Sequence, residues 1–200
     1  DYHKYTDVKA FPVTGKDQGQ EDTYMLRIGE NSGSGTASVC DGDKTSGGLS
    51  HNIKNTVDLG GKTYGHVFGY SFAESVTVDS AKFYLPTTTK IVAIDVYGAV
   101  FDGTNYGKEA AKTYLGSFAV SSGTVSASNI IVDAAFDEAM KVDYIFFALS
   151  FDGSMTVNDT YKFYEIEVFG LKDGAADFTS VKKAYTRYLG YTSEGWDPDS

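Results

Sequence analysis

The chain has 200 residues, 42% of them apolar, which suits one domain with a real core and excludes a disordered chain. Its net charge of −10, from 17 basic and 27 acidic residues, argues against nucleic acid and anionic membranes as partners and leaves neutral ligands and cations. Fifteen Tyr, thirteen Phe and 22 Gly against three Pro fit many short strands joined by glycine turns, and the lone Cys40, read as a small buried hydrophobe, excludes an internal disulfide.

Along the chain, TYMLRIGE (23–30) reads as a strand and NSGSGTAS (31–38) as a loop. VCDGDKTSGG (39–48) follows, with two aspartates around a glycine and then hydroxyl side chains. It suits a tight turn, and it also suits half of a cation site. LGGKT (59–63) lacks the first glycine of a phosphate loop, because Thr56 stands at that position. Residues 66–86 offer two apolar stretches with a turn-like Ala-Glu-Ser between them. In the second, the apolar phase slips from Val76 and Val78 to Ala81, Phe83 and Leu85, which predicts a bulge near Asp79–Ser80.

KIVAIDVYGAVFDG (90–103) reads as a central strand with Val92, Ile94 and Val96 on one face, and residues 105–120 as a short bend followed by a strand. Residues 129–136 form another candidate strand, while AFDEAMK (135–141) looks like one or two helical turns. VDYIFFALSF (142–151) is nearly unbroken in apolar residues, as a strand buried on both sides would be. In YKFYEIEVFG (161–170), Tyr164, Ile166 and Val168 point inward, and Glu165 and Glu167 share the opposite face, which reads as a solvated one.

Strands at intervals of roughly 10–15 residues with turn signals between them predict an antiparallel β-sandwich of about eight strands. The domain spans 1–175, and 176–200 reads as a linker or tail with a candidate short helix at 179–189. The three histidines, His3, His51 and His66, lack metal-type spacing, and nothing selects a catalytic triad. The start at Asp1 and the lack of a signal peptide or an apolar run of about 20 residues suit a processed protein or a piece of a larger one.

Five segments in order resemble the discoidin domain, also called the coagulation factor 5/8 type C domain, which includes many bacterial carbohydrate-binding modules. They are ASVCDGDKTS (37–46), FGYSFAESVTVDSAKFYL (68–85), IDVYGAVFDGTNY (94–106), AMKVDYIFFAL (139–149) and YEIEVFG (164–170). The family's usual Trp after the aspartate loop is missing, with GGLSHN (47–52) in its place, and residues 55–67 look like an added hairpin.

The resemblance implies an all-β jelly-roll sandwich. It also implies a structural calcium held by Asp41, Asp43, Thr45 or Ser46, and Glu165. It points to a non-catalytic module that binds a neutral glycan, as a monomeric unit of a larger secreted or cell-surface protein; the alternative is a protein-binding adhesion domain. Sugars stack on aromatic rings while polar side chains fix their hydroxyls. The loops 50–52, 63–66, 102–106 and 155–159 supply such residues, with His51, Asn52, Tyr64, Asn105 and Tyr106 as candidates.

Overall fold

The computed structural model describes residues 3–5, 26–28, 31–34, 39, 41–53, 56–101, 111–156 and 159–172. Its strands in chain order are β1 (His3–Tyr5), β2 (Leu26–Ile28), β3 (Asn31–Ser34), β4 (Leu49–Ile53), β5 (Val57–Leu59), β6 (Lys62–Tyr64), β7 (His66–Leu85), β8 (Ile91–Ala99), β9 (Lys112–Ala119), β10 (Thr124–Val125), β11 (Ile130–Phe151), β12 (Thr160–Phe163) and β13 (Glu165–Lys172). One 3₁₀ turn, Val120–Ser122, is the longest helical piece among them.

The sandwich is made by folding one long ribbon. β7 and β11 pair antiparallel from His66↔Leu149 to Leu85↔Ile130. In an extended strand Phe68 and Phe83 would stand roughly 50 Å apart. Both nevertheless meet Phe147, with ring centroids at 5.4 and 5.3 Å. The ribbon therefore doubles back, and its halves lie in opposite layers.

The first half, with β8, β9 and β2, makes one layer; the second half, with β13, β1 and β10, makes the other. Register shifts mark the bend, between Ala135 and Met140 and between Val142 and Tyr144. At the bend, Asp143 accepts hydrogen bonds from the Ser75 hydroxyl and, at 2.8 Å, from the Phe101 N–H.

The predicted bulge is present, because Ser80 and Val78 are paired across β13 with the consecutive residues Phe169 and Gly170, which leaves Asp79 extra. The alternation in β11 from Tyr144 to Leu149 serves two cores. Ile145, Phe147 and Leu149 face the sandwich interior, while Tyr144, Phe146 and Ala148 face outward into a second apolar cluster. This is the strand buried on both sides that the sequence predicts.

Six sequence expectations need correction. Residues 135–141 are strand rather than helix, because Ala135, Met140 and Lys141 pair with β7 on either side of the register shift at the ribbon bend. Asn31–Ser34 is strand, drawn into a three-stranded sheet in the order β12-β4-β3, and residues 50–52 are strand in the same sheet rather than a loop. Val92 does not share the inward face of Ile94 and Val96; it is the extra residue between Ile91↔Phe151 and Ala93↔Ser150, and it is exposed. Glu165 and Glu167 are buried, not solvated, while Tyr164 is only half-buried at the bend between β12 and β13. Cys40 and the 176–200 tail lie outside the described residues.

Candidate functional site

Two groups of polar side chains stand on the outer faces of the two layers. The first is the aspartate loop with the head of β13. The Gly42 N–H donates to both carboxylate oxygens of Glu165 at 3.0 Å, which joins positions 123 residues apart. Glu165 is fully buried there.

Within the loop, Asp41 Oδ1 accepts the Asp43 N–H at 2.9 Å. Asp43 accepts the N–H groups of Thr45 and Ser46 at 3.0 Å, and the Ser46 hydroxyl at 2.6 Å. The Ser46 hydroxyl, then the Thr45 N–H, hold the Asp43 carboxyl below the ordinary carboxylate range.

Two flanking contacts fix the loop. Asn129 Nδ2 donates to the Lys44 carbonyl at 2.8 Å, and the Lys44 ammonium pairs with buried Glu167 at 3.3 Å and lies over the Tyr84 ring. Tyr84 donates to Glu167 Oε1 at 2.9 Å, and burial, followed by that hydrogen bond, pushes its phenol pKa up.

The structure thus brings the loop that carries Asp41, Asp43, Thr45 and Ser46 against Glu165, through the Gly42 N–H. Their donors are all oxygens, as calcium prefers, and a fully buried carboxylate faces an exposed acidic loop, so the set fits that ion in kind. Among the described residues, no three His, Cys, Asp or Glu side chains form a ready-made ligating group. Binding would exchange some of the loop's internal hydrogen bonds for bonds to the ion.

The second group sits beneath the added hairpin. Gly60 and Gly61 both have positive φ, at 60° and 81°, which makes the tight two-residue turn between β5 and β6. The hairpin lays Val57, Leu59 and Tyr64 on the outer apolar cluster of the β8–β9 layer.

Its polar anchor is Asp95, which is buried. Asp95 accepts hydrogen bonds from Lys62 Nζ at 2.8 Å, the Tyr64 hydroxyl at 2.6 Å and the Ser117 hydroxyl at 2.5 Å. The Tyr64 and Tyr97 hydroxyls share a further hydrogen bond at 2.8 Å. Burial pushes the Asp95 carboxyl up, but the bonds from Lys62, Ser117 and Tyr64 outweigh it and hold it below the usual range. Burial, then the bond to Asp95, pushes the Tyr64 phenol far up, and the bond to Asp95 raises Lys62.

Among the described residues, the glycan candidates Tyr64 and Asn52 have separate partners and do not form one site. Tyr64 is 1% exposed, so it is an anchor of the hairpin and not a stacking platform; its hydroxyl and ring face the sheet. Asn52 is in β4, where its Oδ1 accepts the Thr160 hydroxyl at 3.1 Å. Thr160 precedes Tyr161, whose ring lies 5.7 Å from Phe151, the β11 end farthest from the ribbon bend. His51 pairs with Tyr161 and Gly33 in the same sheet. Asn105 and Tyr106 lie outside the described residues.

Sequence reasoning missed Asp95 as the anchor of the hairpin. The clue was the alternation in IDVYG, which puts Asp95 and Tyr97 on the face opposite Ile94 and Val96.

Neither a protein-family model nor a curated protein matches the sequence. Among solved structures, the chain is similar to the family 32 CBM from C. perfringens NanJ in complex with galactose, at 13% identity, with 84% of this chain and 99% of that one covered and a TM-score of 0.45. It is similar to CBM32-3 from a family 31 glycoside hydrolase of Clostridium perfringens, at 10% identity, 84% and 94% coverage and a TM-score of 0.46. It is also similar to chitosan-binding module 1 of a chitosanase/glucanase from Paenibacillus sp., at 18% identity, 72% and 96% coverage and a TM-score of 0.43. Likenesses of this size assign no ligand to this chain. No helix among the described residues is long and apolar enough to cross a membrane.

Proposed function

We propose that the chain is a non-catalytic module that binds a neutral glycan, carried by a larger secreted or cell-surface protein. The observation that best supports this is the bond from Gly42 to Glu165. The discoidin resemblance implies that an aspartate loop meets a glutamate at the head of the last strand, and here the two segments meet on a sandwich of that type. The net charge of −10 favours a neutral ligand over a polyanion.

The buried carboxylates favour binding over catalysis. Asp95 is committed to Lys62, Tyr64 and Ser117, and Glu167 to Tyr84 and Lys44, so both serve as structural anchors. Calcium in the aspartate loop would act structurally, tying the loop to β13 through Glu165.

The test is native electrophoresis through gels cast with galactomannan, xyloglucan or mixed-linkage β-glucan, beside a blank gel and a pectate gel. Retardation by a neutral polysaccharide, without new reducing ends after prolonged incubation, is the expected result. Migration unchanged in all three neutral gels, or the release of reducing ends, overturns the reading.

A further inference from the structure

On β8, alternation puts Asp95 and Tyr97 on one face. Their partners on the edge strand β9 are Ser117 and Tyr114. Strict alternation would send positions 114 and 117 to opposite faces. A register shift between Val96 and Tyr97, with Gly116 at a φ of 139°, turns both to the outer face. There the Ser117 hydroxyl reaches Asp95, and the Tyr114 ring stands edge-on to Tyr97 at 5.6 Å. Bulges commonly re-aim a side chain in this way.

Three groups therefore stand together at the surface beside the hairpin. Tyr114 is 46% exposed, and its ring is oriented by Tyr97, which is itself hydrogen-bonded to Tyr64. The Lys62 side chain is 55% exposed and holds its ammonium 2.8 Å from Asp95. The Ser117 hydroxyl gives its hydrogen to Asp95 and keeps its lone pairs as acceptors. Holding the hairpin accounts for Lys62, Tyr64 and Asp95, but it does not require a half-exposed ring at position 114.

We propose that this face is a glycan-binding surface: Tyr114 stacks on a pyranose ring, and Lys62 and Ser117 bond to the hydroxyls of the same or the next sugar. The proposal rests on the glycan-binding reading above and places its site. The chemistry selects the ligand. An aromatic face takes up the C–H side of a sugar. An ammonium has three N–H donors, so Lys62 can serve both Asp95 and a hydroxyl. The Lys62–Asp95 pair is neutral as a unit, so a carboxylated or sulfated sugar gains less there than from an unpaired ammonium.

Geometry sets the mode. Two residues along β8 span about 7 Å, so the ring and the hydroxyl pair are spaced on the scale of one sugar unit. The platform lies on a sheet face beside an edge strand, which suits a polysaccharide running across it rather than a chain end held in a socket.

The test uses the full chain and the same three neutral polysaccharide gels, with titration calorimetry on whichever polysaccharide retards it. Tyr114→Ala should weaken binding about tenfold or more, while Tyr114→Phe, which keeps the ring, should stay within about threefold of the parent. Tyr114→Leu keeps apolar packing on Tyr97 without a flat face and should lose as much as Tyr114→Ala; it decides the matter if the alanine variant melts early. Retained binding in both Tyr114→Ala and Tyr114→Leu overturns this site and leaves the glycan-binding function standing, to be placed elsewhere. Equal losses in the Phe and Leu variants also overturn the stacking role. A parent that no neutral gel retards overturns the function and this site together.

Discussion

Tyr64 gives its phenolic hydrogen to Asp95 Oδ2 at 2.6 Å, and this bond crosses from the β5–β6 hairpin to the sheet beneath it. Both residues are almost completely buried, so an acceptor deprived of that hydrogen has no solvent to replace it. Tyr64→Phe should therefore cost about 1–3 kcal/mol of unfolding free energy, and Tyr64→Ala about 3–5 kcal/mol because the ring's packing is lost as well. Urea unfolding followed by tryptophan-independent circular dichroism gives both values. A Tyr64→Ala variant as stable as the parent would return Tyr64 to the surface role that the sequence suggests.

The same anchor makes stability depend on pH at both ends. The Asp95 pKa is lower folded than unfolded, so its contribution is present above the unfolded value of about 3.9 and is lost as pH falls through the folded one. The Lys62 and Tyr64 values are higher when folded. Their contributions are complete below about pH 10 and are lost as pH rises beyond it. Urea midpoints measured from pH 3 to 11, with Asp95→Asn as the control, should show a plateau between the two limbs in the parent and shallower limbs in the variant.

If calcium binds the folded loop and not the unfolded chain, it should raise the melting temperature. At a concentration about 100 times its Kd the gain is about 2.7 kcal/mol. Glu165→Gln should abolish the calcium-dependent shift. Scanning calorimetry with calcium and with a chelator decides this, and equal melting temperatures in the two would leave the loop as a turn closed by its own hydrogen bonds.

Phe147 touches rings from both halves of the folded ribbon, Phe68 and Phe83. Phe147→Ala should cost about 3–5 kcal/mol, the upper range for a core truncation. A loss under 1 kcal/mol would mean that the two layers are not held at that point.

Much of this was legible in the sequence wherever the signal was local. The slip in apolar phase located the extra residue at Asp79, and the run 142–151 announced a strand buried on both faces. The discoidin resemblance pointed to the aspartate loop and Glu165 as a pair, and the structure shows their contact through the Gly42 N–H. What stayed hidden depends on distant pairing. AFDEAMK holds five good helix formers out of seven, yet its neighbours on β7 decide its state, as cross-strand partners often do. Tyr64 sits among glycines and polar residues and so reads as exposed, and only the docking of the hairpin buries it. Tyr114 looks like one more strand aromatic until the shift at Gly116 sets it beside Ser117.

The pairing of β1 with β13 has a mechanical consequence. His3 lies opposite Gly170 and Tyr5 opposite Val168, so the outer ends of the two strands leave the edge of the layer side by side. Tension applied through residues 1–2 and 173–200 would open this pair as a zipper, one rung at a time, instead of shearing all its rungs together. β1 would peel away at low force. β13, paired with β7 from Glu165↔Tyr84 to Lys172↔Val76, would then bear the pull.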